Sequence, residues 1–86
     1  MNQEIRILGL AVNNRIEDAG RVQSILTKFG CSIKTRLGMH EVTDKECSTT
    51  GMMILELTGD TNEWVKLENE LLKLNSVQVQ KMNFRK

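Results

Sequence analysis

Glu4–Val12 (EIRILGLAV) and Met52–Thr58 (MMILELT) are the two stretches that decide the fold. Both are short and dense in aliphatic residues, which reads as strand rather than helix. Neither shows the apolar–polar alternation of a half-exposed strand. In the first, Ile5 and Ile7 stand on one side against Leu8, Leu10 and Val12; in the second, Met53, Leu55 and Leu57 oppose Met52 and Ile54. Strands that are apolar on both sides need cover on both sides, which places these two at the centre of a sheet.

Working outward, Asn13-Asn14-Arg15 breaks the first strand, and Asn14 with Glu17 forms a capping-box pattern at a helix start. Ala19, Val22, Ile25, Leu26 and Phe29 then recur at helical spacing, and Gly30 fits a left-handed cap at the end. Cys31–His40 (CSIKTRLGMH) alternates, with Ile33, Thr35, Leu37 and Met39 on one side and Lys34, Arg36 and His40 on the other. Glu41 to Thr50 reads as a polar connection. Asp60 with Glu63 starts a second helix, carried by Trp64, Leu67, Leu71 and Leu74, and Val77–Phe84 (VQVQKMNF) alternates as a last strand.

The order is βαββαβ over residues 1–86, read as one domain. This is an α+β, ferredoxin-like sandwich: a four-stranded antiparallel sheet with two helices on one face. The two alternating strands belong at its edges. Two helices cover one face only, so the apolar side chains of the other face need another partner, and a second copy of the chain is the simplest one. Leu8, Leu10, Met52 and Ile54 are the residues assigned to that homo-oligomer interface, as a dimer or a tetramer.

A formal net charge of +1 gives no general attraction to nucleic acid or to anionic membrane. No apolar run approaches the ~20 residues of a membrane span, and no basic-then-apolar leader opens the chain, so a cytoplasmic protein is expected. Strands 1 and 3 carry no aromatic residue for stacking bases, which argues against an RNA-reading sheet. The sequence leaves any cofactor unknown. Cys31 and Cys47 are too few for a disulfide framework. With His40 as the only histidine there is no strong catalytic pairing, and no catalytic residue is assigned. His40 and Cys47, with Glu41, Asp44 and Glu46 nearby, suit nickel or zinc only if two chains share the site. Gly9 inside a strand suggests close packing, and Gly20 on the polar side of the first helix suggests a partner or a neutral exposed site.

The segments ILGLAVNNRIEDAGRVQSILTKFG, IKTRLGM, MMILELTGD and VQVQKMNF resemble the small regulators of the iron-only hydrogenase system, above all in Arg36-Leu37-Gly38 after a helix ending Phe29-Gly30. That family is similar to ACT domains and to the C-terminal domain of the nickel-responsive repressor. The resemblance implies a non-enzymatic regulatory module that binds a small effector and acts on transcription through a protein partner. An effector pocket is expected at a subunit interface, near Asn13 and Asn14 and near Arg36 and Gly38. Two departures stand out. The acidic-proline-glycine turn of amino-acid-binding ACT domains is replaced by Asn13-Asn14-Arg15-Ile16, and one histidine stands where the nickel repressor has several. A different reading is a small acylphosphatase-like hydrolase using Arg15 and the two asparagines, although the loop lacks the phosphate-cradling glycine.

Overall fold

The chain runs β1 (Glu4–Val12), α1 (Arg15–Lys28), a 3-10 turn (Gly30–Ser32), β2 (Ile33–Val42), β3 (Cys47–Leu57), α2 (Thr61–Leu72) and β4 (Val77–Arg85). The computed structural model describes residues 4–13, 15–42 and 47–85. Its sheet is antiparallel in the order β2-β3-β1-β4, so the two strands that are apolar on both sides are indeed central. Both helices lie on one face. Val22, Leu26 and Phe29 from the first helical segment and Trp64, Leu67 and Leu71 from α2 close over Leu8, Leu10, Val12, Leu55 and Leu57.

Register sorts every strand residue to a face. Arg6, Leu8, Leu10 and Val12 of β1 point under the helices with Leu55 and Leu57, while Ile5, Ile7, Gly9 and Ala11 point to the open side. Leu8 and Leu10 are 0% exposed. The assignment of these two leucines to a subunit interface is therefore wrong: the helices already cover them. Met52 and Ile54 are on the open face, as that assignment requires.

Several local expectations change for identifiable reasons. Ile33 and Thr35 do not share a face, because a bulge between them turns Ile33 toward Leu57 and the core. The described residues of the polar stretch Glu41 to Thr50 are strand: β2 continues to Val42, which pairs with Cys47 at the start of β3. Hairpin pairing satisfies the backbone there without an apolar pattern to announce it. Gly30 takes no left-handed cap. The chain continues into the 3-10 turn, with Ser32 N–H donating to the Phe29 carbonyl at 2.9 Å, and Gly59 is the residue with positive φ (81°) among those described.

At the N-terminus of α2, Asp60 Oδ1 accepts the Asn62 N–H at 2.9 Å, as a capping residue should. The corresponding Asn14–Glu17 pair falls on Asn14, which lies outside the described residues. In α1 the inward position of the first turns is Asp18, not Ala19, which is exposed. No helix among the described residues is long and apolar enough to cross a membrane.

Candidate functional site

The open face of the sheet is a large surface that the fold leaves apolar among the described residues. Its described side chains form rows fixed by register: Ile5 beside Phe84; Thr35, Glu56, Ile7 and Met82; Leu37, Ile54, Gly9 and Gln80; then Met52, Ala11 and Gln78. Of the seven large hydrophobic residues that stand exposed among the described residues, five lie here: Leu37 (56%), Met52 (43%), Ile54 (37%), Met82 (56%) and Phe84 (52%). Contiguous exposure on this scale marks an interaction surface rather than scattered surface apolarity.

Glu56 is the acidic group of this face. Its Oε1 accepts the Thr35 hydroxyl at 3.0 Å, and Oε2 lies 3.8 Å from the Lys34 ammonium, which the bulge brings within reach. Gly9 sits mid-face, and a Cβ added there would meet nothing closer than the Gln80 carbonyl oxygen at 4.0 Å. The expected crowding at Gly9 is thus absent within the chain. Gly9→Val should therefore raise folding stability by about 0.5–1 kcal/mol, since a β-branched residue suits a strand better than glycine. Urea unfolding at a concentration low enough to keep the chain monomeric checks this, and a destabilised variant would show a constraint the geometry does not contain. Gly20 likewise has no atom within 4 Å of an added Cβ.

The four residues assigned to an effector pocket do not converge within one chain. The Asn13 N–H donates to the Ser76 carbonyl at 2.7 Å, which ties the β1–α1 turn to the start of β4. The same corner is held by Asp18, whose buried carboxylate accepts the Ser76 hydroxyl and lies 3.3 Å from Arg21. Asn14 is outside the described residues. Arg36 and Gly38 lie across β3 from β1, in the rows of Leu8 and Leu10, about 10 Å sideways from the strand that carries Asn13. Arg36 is engaged by Gln23 of α1.

His40 and Cys47 have undescribed side chains, but their backbones are placed. His40 pairs with Gly51 and Cys47 with Val42, with a register shift between the two pairs, so Cys47 stands opposite a residue two positions beyond His40. His40 sits in the Val12–Gly51 row, where β1 ends, and Cys47 sits on the part of the β2–β3 hairpin beyond it. Among the described residues no cluster of three or more His, Cys, Asp or Glu is placed to hold a metal ion.

Sequence reasoning missed one polar cluster altogether. Arg6, inside the first apolar strand, donates to Glu68 Oε2 at 2.6 Å and to Asn83 Oδ1 at 2.6 Å, and its guanidinium lies 5.3 Å from the Trp64 ring centre. Lys81 reaches the other Glu68 oxygen at 3.2 Å, and the Trp64 indole N–H donates to the Thr58 carbonyl at 2.8 Å. Glu68 falls one residue after Leu67 in the α2 stripe, and that position was the available signal. The cluster sets two cations, Arg6 and Lys81, on the one carboxylate of Glu68 and locks α2 to β1 and β4. A groove between the helices is lined by Lys28, Phe29, Glu63, Lys66, Glu70 and Lys73, with Lys28–Glu70 and Lys66–Glu63 paired at 3.0 and 3.2 Å.

Comparison with solved structures places this geometry. An uncharacterized protein from Thermotoga maritima superposes with a TM-score of 0.79 at 22% identity, over 95% of this chain and 99% of that one. The ACT domain of the GTP pyrophosphokinase of Chlorobium tepidum matches at 0.63 and 13% identity, over 91% and 96%. A nitrogen regulatory PII-like protein from Thiomonas intermedia K12, bound to ADP, AMP and bicarbonate, matches at 0.66 and 10%, over 96% and 92%. The fold is ACT-like. No family model and no curated protein matches the sequence. At these identities the likeness speaks for architecture alone.

Proposed function

We propose that this ACT-like chain is a non-enzymatic regulatory module that works as a homo-oligomer and binds a small effector where subunits meet. The observation that carries the reading is the apolar open face, which a lone chain leaves in water. Arg36 and Gly38 pair into the rows of Leu8 and Leu10, off the open face, so a pocket that uses them is completed at the β2 edge rather than across that face. A ligand gripped between two subunits shifts their packing, which is a direct way to report its presence. The PII-like protein and the ACT domain support the reading as architectures. The sequence resemblance supplies the finer part: service to the iron-only hydrogenase system, with transcription reached through a partner protein.

Thermal unfolding in the presence of adenine nucleotides, amino acids and bicarbonate tests the effector. A bound ligand should raise the melting temperature by mass action, by about 2.7 kcal/mol of stability at a hundredfold excess over its dissociation constant. Hydrolysis of an acyl phosphate by the purified chain would contradict the non-enzymatic reading. The β2–β3 hairpin, which carries His40 at the last row of β1 and Cys47 beyond it, supports a second reading, a nickel or zinc site shared between chains. Under it, nickel or zinc raises the melting temperature and His40→Ala removes the effect.

A further inference from the structure

The apolar residues of the open face do not fill it evenly. They run as a diagonal stripe from Leu37, Ile54 and Met52 at one corner, through Gly9, Ala11 and Ile7, to Met82, Ile5 and Phe84 at the opposite corner. The two remaining corners are polar and different from each other. One holds Glu56 with Thr35 and Lys34; the other holds the exposed amides Gln78 and Gln80. This asymmetry sets how two copies can meet.

We infer that two copies pack open face to open face about a two-fold axis running along the apolar stripe, so that Glu56 of each copy meets Gln80 of the other. The inference rests on the homo-oligomeric reading above and adds its geometry. A face-to-face dimer has its axis in the interface plane. Turning a copy about the stripe keeps apolar on apolar and exchanges the two polar corners. The Glu56 carboxylate, an acceptor, then lies over the Gln80 amide, which has two N–H donors to offer. Turning about the perpendicular direction superposes the stripes equally well but sets Glu56 against Glu56. Like charges facing each other in a partly desolvated contact are strongly unfavourable, so the first arrangement wins.

Size and relief agree with a second copy as the occupant. Four strands at ~4.8 Å and nine residues at ~3.3 Å give a face of roughly 500 Å² in projection. That is a fair match to the ~800 Å² of accessible surface that each partner buries in a standard interface. Ile7 and Gly9 fall close to the axis, where each would face its own copy. The missing side chain at Gly9, unexplained by packing inside the chain, lets the two backbones approach there. The stripe is inclined by about 25–35° to the strands, so the two sheets cross at about 50–70°.

Substituting Gln80 in both directions of charge tests the orientation, with dissociation constants read by sedimentation equilibrium. Gln80→Lys sets an ammonium opposite the partner's Glu56 and should bind as tightly as the unsubstituted chain or tighter. Gln80→Glu sets two carboxylates together and should weaken association at least about tenfold. Adding Glu56→Lys to Gln80→Glu reverses the pairing and should recover most of the loss. In the alternative orientation Gln80 faces Gln80, so Lys and Glu would weaken association alike and the double substitution would not recover it; that result overturns the inference while leaving self-association intact. Gln80 is exposed on an edge strand, and unchanged circular dichroism of each variant confirms that folding is not the cause.

Discussion

Ile54→Glu is expected to turn the assembled protein into a folded monomer. Ile54 is 37% exposed on the open face, so a glutamate there has water to point into as long as the chain is alone. A surface substitution of this kind should change folding stability by no more than about 0.5 kcal/mol. In the assembly the same carboxylate is pressed into the apolar stripe between Leu37 and Gly9, with no cation in its row. Burying an unpaired carboxylate is unfavourable by several kcal/mol, and an isologous interface carries the substitution twice. The dissociation constant should therefore rise by at least about a hundredfold, or some 2.7 kcal/mol. Sedimentation velocity with circular dichroism measures both halves of the claim. An oligomer that survives Ile54→Glu, or a chain that unfolds because of it, would contradict the assignment of this face.

Glu68→Leu should have the largest effect on folding of any change outside the apolar core. Arg6 and Glu68 are 13% and 11% exposed, and removing the carboxylate leaves the guanidinium partly buried above Trp64 with its charge unmatched by Glu68 and the neutral Asn83 amide as an acceptor. Breaking a buried pair from one side costs about 3–5 kcal/mol; residual water at this site lowers the expected value to about 2–3 kcal/mol. Lys81, 52% exposed, turns to solvent at little cost. Arg6→Leu combined with Glu68→Leu should recover most of the loss, because the uncompensated charge goes and the two leucines can pack on Trp64. Urea unfolding is best read in the Ile54→Glu background, where stability no longer depends on protein concentration. A single variant within 0.5 kcal/mol of its parent would show that Glu68 does not neutralise Arg6.

The architecture was legible in the sequence because the signal that sets it is coarse. Apolar character on both sides of Glu4–Val12 and Met52–Thr58 identified the central strands, and helical spacing identified Trp64, Leu67 and Leu71 as core. What failed was the side of each central strand. A strand apolar on both faces carries no mark of which set faces the helices, so Leu8 and Leu10 were assigned outward although they are the most deeply buried residues of β1. Arg6 is the missing mark: it shares the inward set, and its charge is tolerated only because Glu68 of α2 meets it. The bulge at Lys34 hid the facing of Ile33 in the same way, by shifting alternation one residue. The polar hairpin residues from Cys47 onward are held by pairing rather than burial, and hydropathy does not report pairing.

The candidate site was legible as a surface and not as a set of contacts. Met52 and Ile54 lie on the open face, but the other large apolar residues of the stripe come from edge strands whose alternation reads as an ordinary inside–outside pattern. Met82 and Phe84 look like the inward set of β4. Register shows the reverse, because Lys81 and Asn83 reach Glu68 and Arg6 beneath the helices. Such long-range partners lie 13 and 77 positions apart in the chain, beyond any local pattern.

Sedimentation equilibrium of the unsubstituted chain across the micromolar range tests the central claim most directly. The open face predicts a reversible dimer or tetramer whose mass falls toward that of one chain only on dilution. A single species at the mass of one chain, 9.8 kDa, throughout that range would contradict it.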